Sequence, residues 1–184
     1  MEALRLQQFI ESRQWRFCFI GGLAVQHWGE PRLTRDIDLS VLTGFGSEAQ
    51  YIDSLLTAYA PRMEGAREFA LKRRVLLLRS EAGIGIDVSL AALPFEESVV
   101  DRAVPVELLP GMAIRICSPE DLIIMKVFAG RDTDLRDSRS IAVRQSSRAL
   151  DWSYIERNVT DLSELKEDPT MLTALRAIRE AGEQ

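Results

Sequence analysis

The chain has very little histidine and cysteine, the residues that most transition-metal and disulfide sites require. It holds one histidine and two cysteines among 184 residues. A metal centre built on two or more histidines is therefore excluded. Cys18 and Cys117 lie far apart in the sequence, each among apolar residues. We expect both to be reduced thiols in the core of a cytoplasmic protein.

Long apolar runs and an excess of positive charge are also lacking. The longest strongly apolar run, at residues 17–25, is interrupted by two glycines and is far shorter than the about 20 residues that span a bilayer. We expect no membrane segment, and the first residues show no secretory signal. Lys and Arg total 23 against 28 Asp and Glu, a net charge of −5. This balance argues against a protein that coats nucleic acid indiscriminately, although it allows a local basic patch.

The apolar content is, in contrast, sufficient for a folded core. Hydrophobic residues make up 46% of the chain, too many for a disordered protein. This length is typical of one domain, and two closely packed lobes are also compatible with it.

Periodicity and turn residues predict an α/β first part over residues 1–117. The segment Asp36–Leu42 alternates between polar and apolar residues, which is typical of a half-buried strand. Ser47 is the expected N-cap of a helix that ends before Pro61. Further strands are predicted at 16–20, 75–78, 84–90, 105–108 and 113–117, and helices at 2–13, 23–28, 47–60 and 94–102.

The remainder, residues 118–184, is predicted to be helical. Ser118 and Pro119 form a strong helix start, because serine caps the helix and proline suits its first turn. We expect this part to pack on the first as a single compact unit. The predicted fold class is α/β of the α+β type, a mixed sheet flanked by helices with a helical C-terminal part. The predicted helices here are 118–130, 133–147, 151–158 and 169–181, the last capped by Asp168-Pro169.

The strongest chemical feature is the pair Asp36 and Asp38. Residues i and i+2 of a strand project from the same face, about 6.6 Å apart along the chain. Two carboxylates held in this way can share a divalent cation or bridge two of them. The alternative is an edge strand that presents two acids to water.

Two further features accompany this pair. Gly21-Gly22 closes one strand and opens a short helix, where glycines let backbone amides approach a phosphate. A plain turn is the alternative. Asp87 interrupts an apolar strand and faces away from Ile86 and Val88. A third carboxylate there completes a metal site and can take a proton from an attacking hydroxyl.

Lys126 lies in a helix that is apolar nearly all round, so we expect it to be buried. A buried lysine needs an anion, which is either a carboxylate or a phosphate. The alternative is a side chain that extends along the helix to solvent. Asp134 and Asp137 share a face of the next helix. They either complement the helix dipole or orient Lys126 or Arg131.

Basic residues fall into three groups along the chain. Two of these groups are expected to flank the carboxylates and bind a polyphosphate or an RNA end. The third is interpreted as a solvated face. The groups are Arg32 with Arg35, Arg131 with Arg136 and Arg139, and the solvated Lys72-Arg73-Arg74.

Three segments together resemble the nucleotidyltransferase superfamily with the polymerase-β-like fold. They are Phe19-Ile20-Gly21-Gly22, the stretch from Arg32 to Leu39, and Ile86-Asp87-Val88. The pattern Arg32-x-Thr34-x-Asp36-Ile37-Asp38 is similar to that of the AbiEii-like branch, which includes toxins of bacterial toxin–antitoxin systems. The set Lys126, Arg131, Asp134 and Asp137 resembles a second segment of that branch.

The resemblance implies roles for these residues. Asp36 and Asp38 would hold Mg²⁺ or Mn²⁺ on the triphosphate of an NTP substrate, and Asp87 would hold a second metal ion and activate the acceptor. Gly21 and Gly22 would approach the phosphates, although many members carry serine at the second position. The remaining residues of the implied nucleotide-binding set are Thr34, Lys126, Arg131, Asp134 and Asp137.

The leading hypothesis is a Mg²⁺-dependent nucleotidyltransferase that transfers a nucleoside monophosphate from an NTP to an acceptor. The AbiEii-like resemblance implies a toxin whose acceptor is tRNA, another RNA or a protein, with a cognate antitoxin as partner. The alternatives are a nucleotidyltransferase that modifies an antibiotic and a non-catalytic domain that binds a nucleotide or a partner. A nucleotide-sugar glycosyltransferase explains neither the glycine pair nor Asp87.

Overall fold

The computed structural model describes residues 1–148 and 150–183. The chain divides into two compact units. The first consists of Met1–Leu23 and Leu33–Cys117, and the second of Ala24–Arg32 and the chain from Ser118 onward. That the helical part packs on the first part stays a prediction.

Residues 24–32 group with the second unit, whereas the sequence analysis includes them in the first part. Long-range hydrogen bonds explain the difference. The Gln145 side-chain amide donates to the Trp28 carbonyl at 2.8 Å, and the Glu30 backbone N–H donates to the Ser140 hydroxyl at 3.1 Å.

In the described residues of the first unit, seven strands form one mixed sheet. The strand order is β3-β4-β5-β2-β1-β7-β6. The elements, in chain order, are α1 (Glu2–Glu11), β1 (Phe17–Phe19), α2 (Gly21–Trp28, which crosses into the second unit), β2 (Asp36–Leu42), α3 (Glu48–Leu56), β3 (Ala60–Pro61), α4 (Ala66–Arg73), β4 (Val75–Arg79), β5 (Gly85–Ala91), α5 (Pro94–Asp101), β6 (Val104–Leu109) and β7 (Met112–Ile116).

The centre of the sheet is the parallel pair β2 and β5. Alternation places the apolar residues of both strands in the core, where Leu39, Val41, Ile86 and Val88 have no exposed surface. The polar residues between them face the other side of the sheet. The predicted strand Asp36–Leu42 is confirmed at both ends.

The region between β2 and β4 departs most from the sequence prediction. The helix predicted at 47–60 ends at Leu56, and Ser47 occupies the N-cap position without a side-chain capping bond. Strand β3 and helix α4 follow, and neither is predicted from the sequence. Both are short, and α4 has a weak apolar stripe because only Ala66 and Ala70 of its residues are buried. Arg74, interpreted as part of a solvated face, instead pairs with Glu48.

The second unit contains helices α6 (Pro119–Ala129), α7 (Asp132–Arg144), α8 (Trp152–Lys166) and α9 (Thr170–Gly182), with a 3₁₀ turn at Ser146–Arg148. The predicted start of α6 is confirmed, since the Ser118 hydroxyl accepts from the Asp121 N–H at 3.1 Å. Its end is confirmed by Gly130 in the left-handed conformation. Helix α8 continues well beyond the predicted residue 158.

Neither Cys18 nor Cys117 forms a disulfide, and both are buried, as expected. Among the described residues, no helix combines the length and the apolar character that a bilayer crossing requires.

Candidate active site

The three candidate carboxylates lie near the amino ends of β2 and β5. Asp36 and Asp38 share the polar face of β2, because the intervening Ile37 is buried in the core. The parallel register places Asp38 directly opposite Asp87 and Asp36 opposite Gly85. Two adjacent strands therefore bring together three acidic residues from distant parts of the sequence.

The glycine pair begins α2 beside these carboxylates. Gly21 has a φ of +56°, which glycine adopts at little cost. A Cβ at this position would lie 2.6 Å from Asp38 Cγ, so a larger residue collides with the carboxylate. The Gly22 N–H donates to Asp38 Oδ2 at 3.3 Å. The start of α2 and Asp38 are thus in direct contact.

Gly22 is close to Thr34, whose hydroxyl donates to the Asp36 carbonyl at 3.0 Å. A Cβ at position 22 would lie 2.7 Å from Thr34 Cβ and would also overlap the Thr34 hydroxyl. Serine at this position therefore requires Thr34 to move. This contact accounts physically for the glycine where the resemblance leads one to look for serine.

Gly22→Ala is expected to destabilise the protein by about 1–2 kcal/mol, because the overlap with Thr34 outweighs the better helix propensity of alanine. Urea unfolding measures the difference. The cost should shrink when the same substitution is made in a Thr34→Gly background, where the obstructing atoms are gone. A Gly22→Ala protein as stable as the wild type would contradict the close contact.

Arg62 contacts two of the carboxylates, although no sequence motif marks it. Its Nη2 donates to Asp87 Oδ1, and its Nη1 lies 3.4 Å from Asp36 Oδ1. Its two partners are 25 and 26 residues away in sequence. Arg62 follows β3 directly, and its N–H donates to the Leu77 carbonyl at 3.0 Å, which continues the pairing with β4. The pairing of a strand too short to predict thus brings the guanidinium to the site.

The electrostatics of the site follow from this arrangement. Burial raises the pKa of the Asp87 carboxyl above its ordinary value, and the Asp36 carboxylate acts in the same direction. The Arg62 guanidinium opposes both effects. The net direction of the pKa is upward, mainly because of burial, so Asp87 is less acidic than an exposed aspartate.

Carboxylate oxygens are the donors that Mg²⁺ prefers, and the register of β2 and β5 provides three of them side by side. Within residues 1–148 and 150–183, no group of three or more His, Cys, Asp or Glu side chains is arranged to hold a metal ion. Asp36 and Asp87 are instead paired with Arg62. The donor chemistry therefore fits Mg²⁺ once the guanidinium moves away from the two carboxylates.

In the second unit, Lys126 is buried and bound by two aspartates. Its Nζ donates to Asp134 Oδ1 at 3.0 Å and to Asp137 Oδ2 at 2.7 Å. The exposed fractions are 6% for Lys126, 4% for Asp134 and 7% for Asp137. The expectation of a buried lysine with an anion is confirmed, and the anion is a carboxylate pair. The alternative of a lysine that extends to solvent is wrong.

Two arginines complete this ionic cluster. Arg131 Nε donates to Asp134 Oδ2 at 2.5 Å. Arg32 donates to both oxygens of Asp137, from Nε at 3.0 Å and from Nη2 at 2.9 Å. The expectation that the two aspartates orient Lys126 or Arg131 is confirmed. The five residues form one network with a buried centre and an arginine on each side.

A cavity of about 310 Å³ adjoins the network on the Arg32 side. Its wall includes Arg32 and Arg136 from the predicted basic groups, together with two acidic residues. The lining residues are Glu30, Pro31, Arg32, Thr133, Arg136, Asp137 and Ser140.

The network makes stability depend on pH. Burial opposes the ionisation of Asp134 and Asp137, but hydrogen bonds from Arg131, Arg32 and Lys126 outweigh it and lower both pKa values. A lowered folded-state pKa stabilises above the unfolded pKa of about 3.9, and this contribution is lost as the pH falls through the folded value.

We therefore expect the free energy of unfolding to decrease below about pH 4, and to decrease less in the Asp137→Asn variant. Urea unfolding at pH 7, 5, 4 and 3 measures both slopes. The difference between the two proteins isolates the contribution of Asp137 from that of other carboxylates. Parallel pH profiles for the two would show that Asp137 contributes nothing to the acid sensitivity.

A family model and several solved structures are similar to this chain. A model of the family described as "Nucleotidyltransferase of unknown function (DUF6036)" matches residues 3–177. No curated protein matches the sequence significantly. The crystal structure of an antigenic nucleotidyltransferase-like protein from Paracoccidioides brasiliensis is similar, with a TM-score of 0.51 at 17% identity, over 95% of this chain and 90% of that one. At this identity the likeness shows the fold.

Two structures of the antibiotic-resistance factor ANT(2'')-Ia also align at 12% identity. The solution structure has a TM-score of 0.47 and covers 98% of this chain and 87% of that one. The crystal structure in complex with adenylyl-2''-tobramycin has a TM-score of 0.46 and covers 98% of both chains.

Proposed function

The chain belongs to this family of nucleotidyltransferases, and we propose from that premise that it transfers a nucleoside monophosphate from an NTP to an acceptor. One observation carries the proposal. The register of β2 and β5 puts Asp36, Asp38 and Asp87 side by side, next to the glycine start of α2. Three adjoining carboxylates beside a helix N-terminus suit a substrate that combines a divalent cation with phosphates.

The reaction is an in-line displacement at the α-phosphorus. A new bond forms from the acceptor oxygen to phosphorus, the bond to the bridging oxygen breaks, and pyrophosphate leaves. Asp36, Asp38 and Asp87 would hold Mg²⁺ or Mn²⁺, which neutralises the negative charge of the triphosphate when bound. Asp87 takes the proton of the acceptor hydroxyl on a carboxylate oxygen.

The backbone at Gly21 and Gly22 approaches the phosphates. Side chains at these two positions would collide with Asp38 and Thr34, and the Gly22 N–H, which donates to Asp38 in this structure, lies beside the carboxylates. The first N–H groups of α2 have no partner within the helix, and the helix dipole favours an anion there. Thr34 keeps the segment before β2 in place through its bond to the Asp36 carbonyl.

The ionic cluster of the second unit has a supporting part in this proposal. Lys126, Asp134 and Asp137 satisfy one another in the interior. Arg131 is anchored to this centre and its side chain is 76% exposed, so it is able to bind a phosphate without losing its orientation. Arg32 is held in the same way from Asp137. Fixed guanidinium groups bind phosphate with little further loss of side-chain entropy.

For the acceptor we propose tRNA, another RNA or a protein, and for the biological role an AbiEii-like toxin with a cognate antitoxin. The support is the sequence pattern from Arg32 through Thr34 to Asp38, together with the segment from Lys126 to Asp137. The cavity in the second unit adds two arginines, Arg32 and Arg136, that are able to contact an RNA phosphate, although the whole chain is acidic.

A transfer assay tests the proposal. The protein is incubated with each α-labelled NTP, Mg²⁺ or Mn²⁺, and total bacterial RNA, beside the Asp36→Ala variant. Label in a tRNA-sized band that disappears with the variant supports transfer to RNA. Label on protein identifies a protein acceptor, and label on an added aminoglycoside replaces the toxin role with antibiotic modification. If no acceptor is labelled and no NTP binds in the presence of Mg²⁺, the proposal is wrong.

A further inference from the structure

The guanidinium of Arg62 lies where a cation is needed among the carboxylates. It contacts Asp36 on β2 and Asp87 on the neighbouring strand β5. The Arg62 side chain is 22% exposed, against 46% for Asp36 and 34% for Asp87. One positive group is thus embedded between two negative ones that would otherwise repel each other.

Backbone pairing and a neighbouring glycine determine the position of Arg62. Its backbone N–H continues the pairing of β3 with β4. The strand opposite Asp36 carries Gly85, where a Cβ would lie 2.7 Å from Arg62 Nη1. Glycine at this register position therefore leaves the space through which the guanidinium reaches the carboxylates.

Arg62 also has an unused donor. Among the described residues, its Nε is the buried side-chain atom that has no hydrogen-bond partner. A buried donor without a partner destabilises the state that contains it. The guanidinium is thus neutralised by two carboxylates at its tip but only partly satisfied, a state that a further acceptor would improve.

We propose that Arg62 binds the triphosphate of the incoming nucleotide, and that in the nucleotide-free protein its guanidinium occupies the place of the divalent cation. This inference rests on the proposed function. A metal ion and a guanidinium compete for the same oxygens of Asp36 and Asp87, and their positive charges repel at such distances. When the cation binds, Arg62 loses its partners, and the nearest new anion is the phosphate chain that arrives with the metal. Its planar fork of donors matches phosphate oxygens.

The proposal has a thermodynamic consequence. The metal alone binds weakly, because it must displace Arg62 without offering it a new partner. The metal and the nucleotide bind cooperatively, since each favours the state in which Arg62 has left the carboxylates. A purely structural arginine that holds the carboxylates in position has the opposite effect, because its removal weakens metal binding.

The test uses the full chain and two binding measurements. Mn²⁺ alone is titrated into the wild type, Arg62→Ala and Arg62→Lys, with free Mn²⁺ followed by electron paramagnetic resonance. The non-hydrolysable analogue α,β-methylene-ATP is then titrated by calorimetry at saturating Mn²⁺. Arg67→Ala is the matched control, because Arg67 is also paired with an aspartate, Asp53, and lies on the surface of the same unit. Circular dichroism and thermal unfolding establish that each variant is folded.

We expect Arg62→Ala to bind Mn²⁺ about tenfold more tightly than the wild type and the analogue about tenfold more weakly, each equivalent to about 1.4 kcal/mol. Arg62→Lys should lie between the two, and Arg67→Ala should match the wild type. Mn²⁺ affinity that is unchanged or reduced in Arg62→Ala overturns this inference. The proposed function stays intact in that case if the wild type binds Mn²⁺ and the analogue. If neither the wild type nor any variant binds Mn²⁺ or the analogue, this inference and the proposed function are both overturned.

Discussion

Asparagine in place of Asp38 is expected to lower kcat/KM for nucleotide transfer by about 10³-fold or more, equivalent to about 4 kcal/mol of transition-state stabilisation. The substitution removes one charged oxygen donor from the three carboxylates while keeping the shape of the side chain. The amide oxygen of the new side chain is still able to accept the hydrogen bond that Gly22 donates to Asp38. The loss is therefore one of charge among the three carboxylates, and not of local structure.

The same variant should be at least as stable as the wild type in the absence of metal. Asp38 lies opposite Asp87 in the register, and like charges across two strands are destabilising. Urea unfolding and the transfer assay together separate the two effects. Asp53→Asn is the control, because Asp53 is an exposed carboxylate of the same unit that pairs with Arg67. Unchanged turnover in Asp38→Asn would show that the carboxylates take no part in the reaction.

Methionine in place of Lys126 is expected to reduce the free energy of unfolding by about 3–5 kcal/mol. Methionine fills a similar volume but leaves two buried carboxylates without their shared cation. Arg32 and Arg131 remain and keep each aspartate partly neutralised, so a value near the lower end is expected. Thermal or urea unfolding measures the change.

Lys166→Met provides the comparison for Lys126→Met. Lys166 pairs with Asp168 at 3.5 Å near the surface, with 36% of its side chain exposed. Exposed pairs contribute at most about 1 kcal/mol, so this variant should be nearly as stable as the wild type. A loss below about 1 kcal/mol in Lys126→Met as well would show that the buried network adds little to stability.

Features that depend on local periodicity are predictable from the sequence. Strand β2 follows from strict alternation, and the start of α6 follows from the cap at Ser118. The burial of Lys126 also follows from the sequence, which offers Asp134 and Asp137 as partners but leaves open whether the anion is a carboxylate or a phosphate. An apolar helix surrounds the lysine, and two acids three residues apart lie on one face of the next helix. Each of these inferences needs only neighbours within a few residues.

The distant residues that contact these elements are identified by the three-dimensional fold and not by any local pattern. Arg62 reaches the carboxylates through the pairing of β3, a strand of two residues that carries no periodic signal. Arg32 is bound to Asp137 across 105 positions, and residues 24–32 group with the second unit for similar reasons. Arginine side chains are long, so a guanidinium forms an ion pair with whichever carboxylate the fold places within reach. The physical reason is therefore that local pattern specifies elements and their faces, whereas ion pairs depend on strand order and register, which follow from the packing of the entire chain.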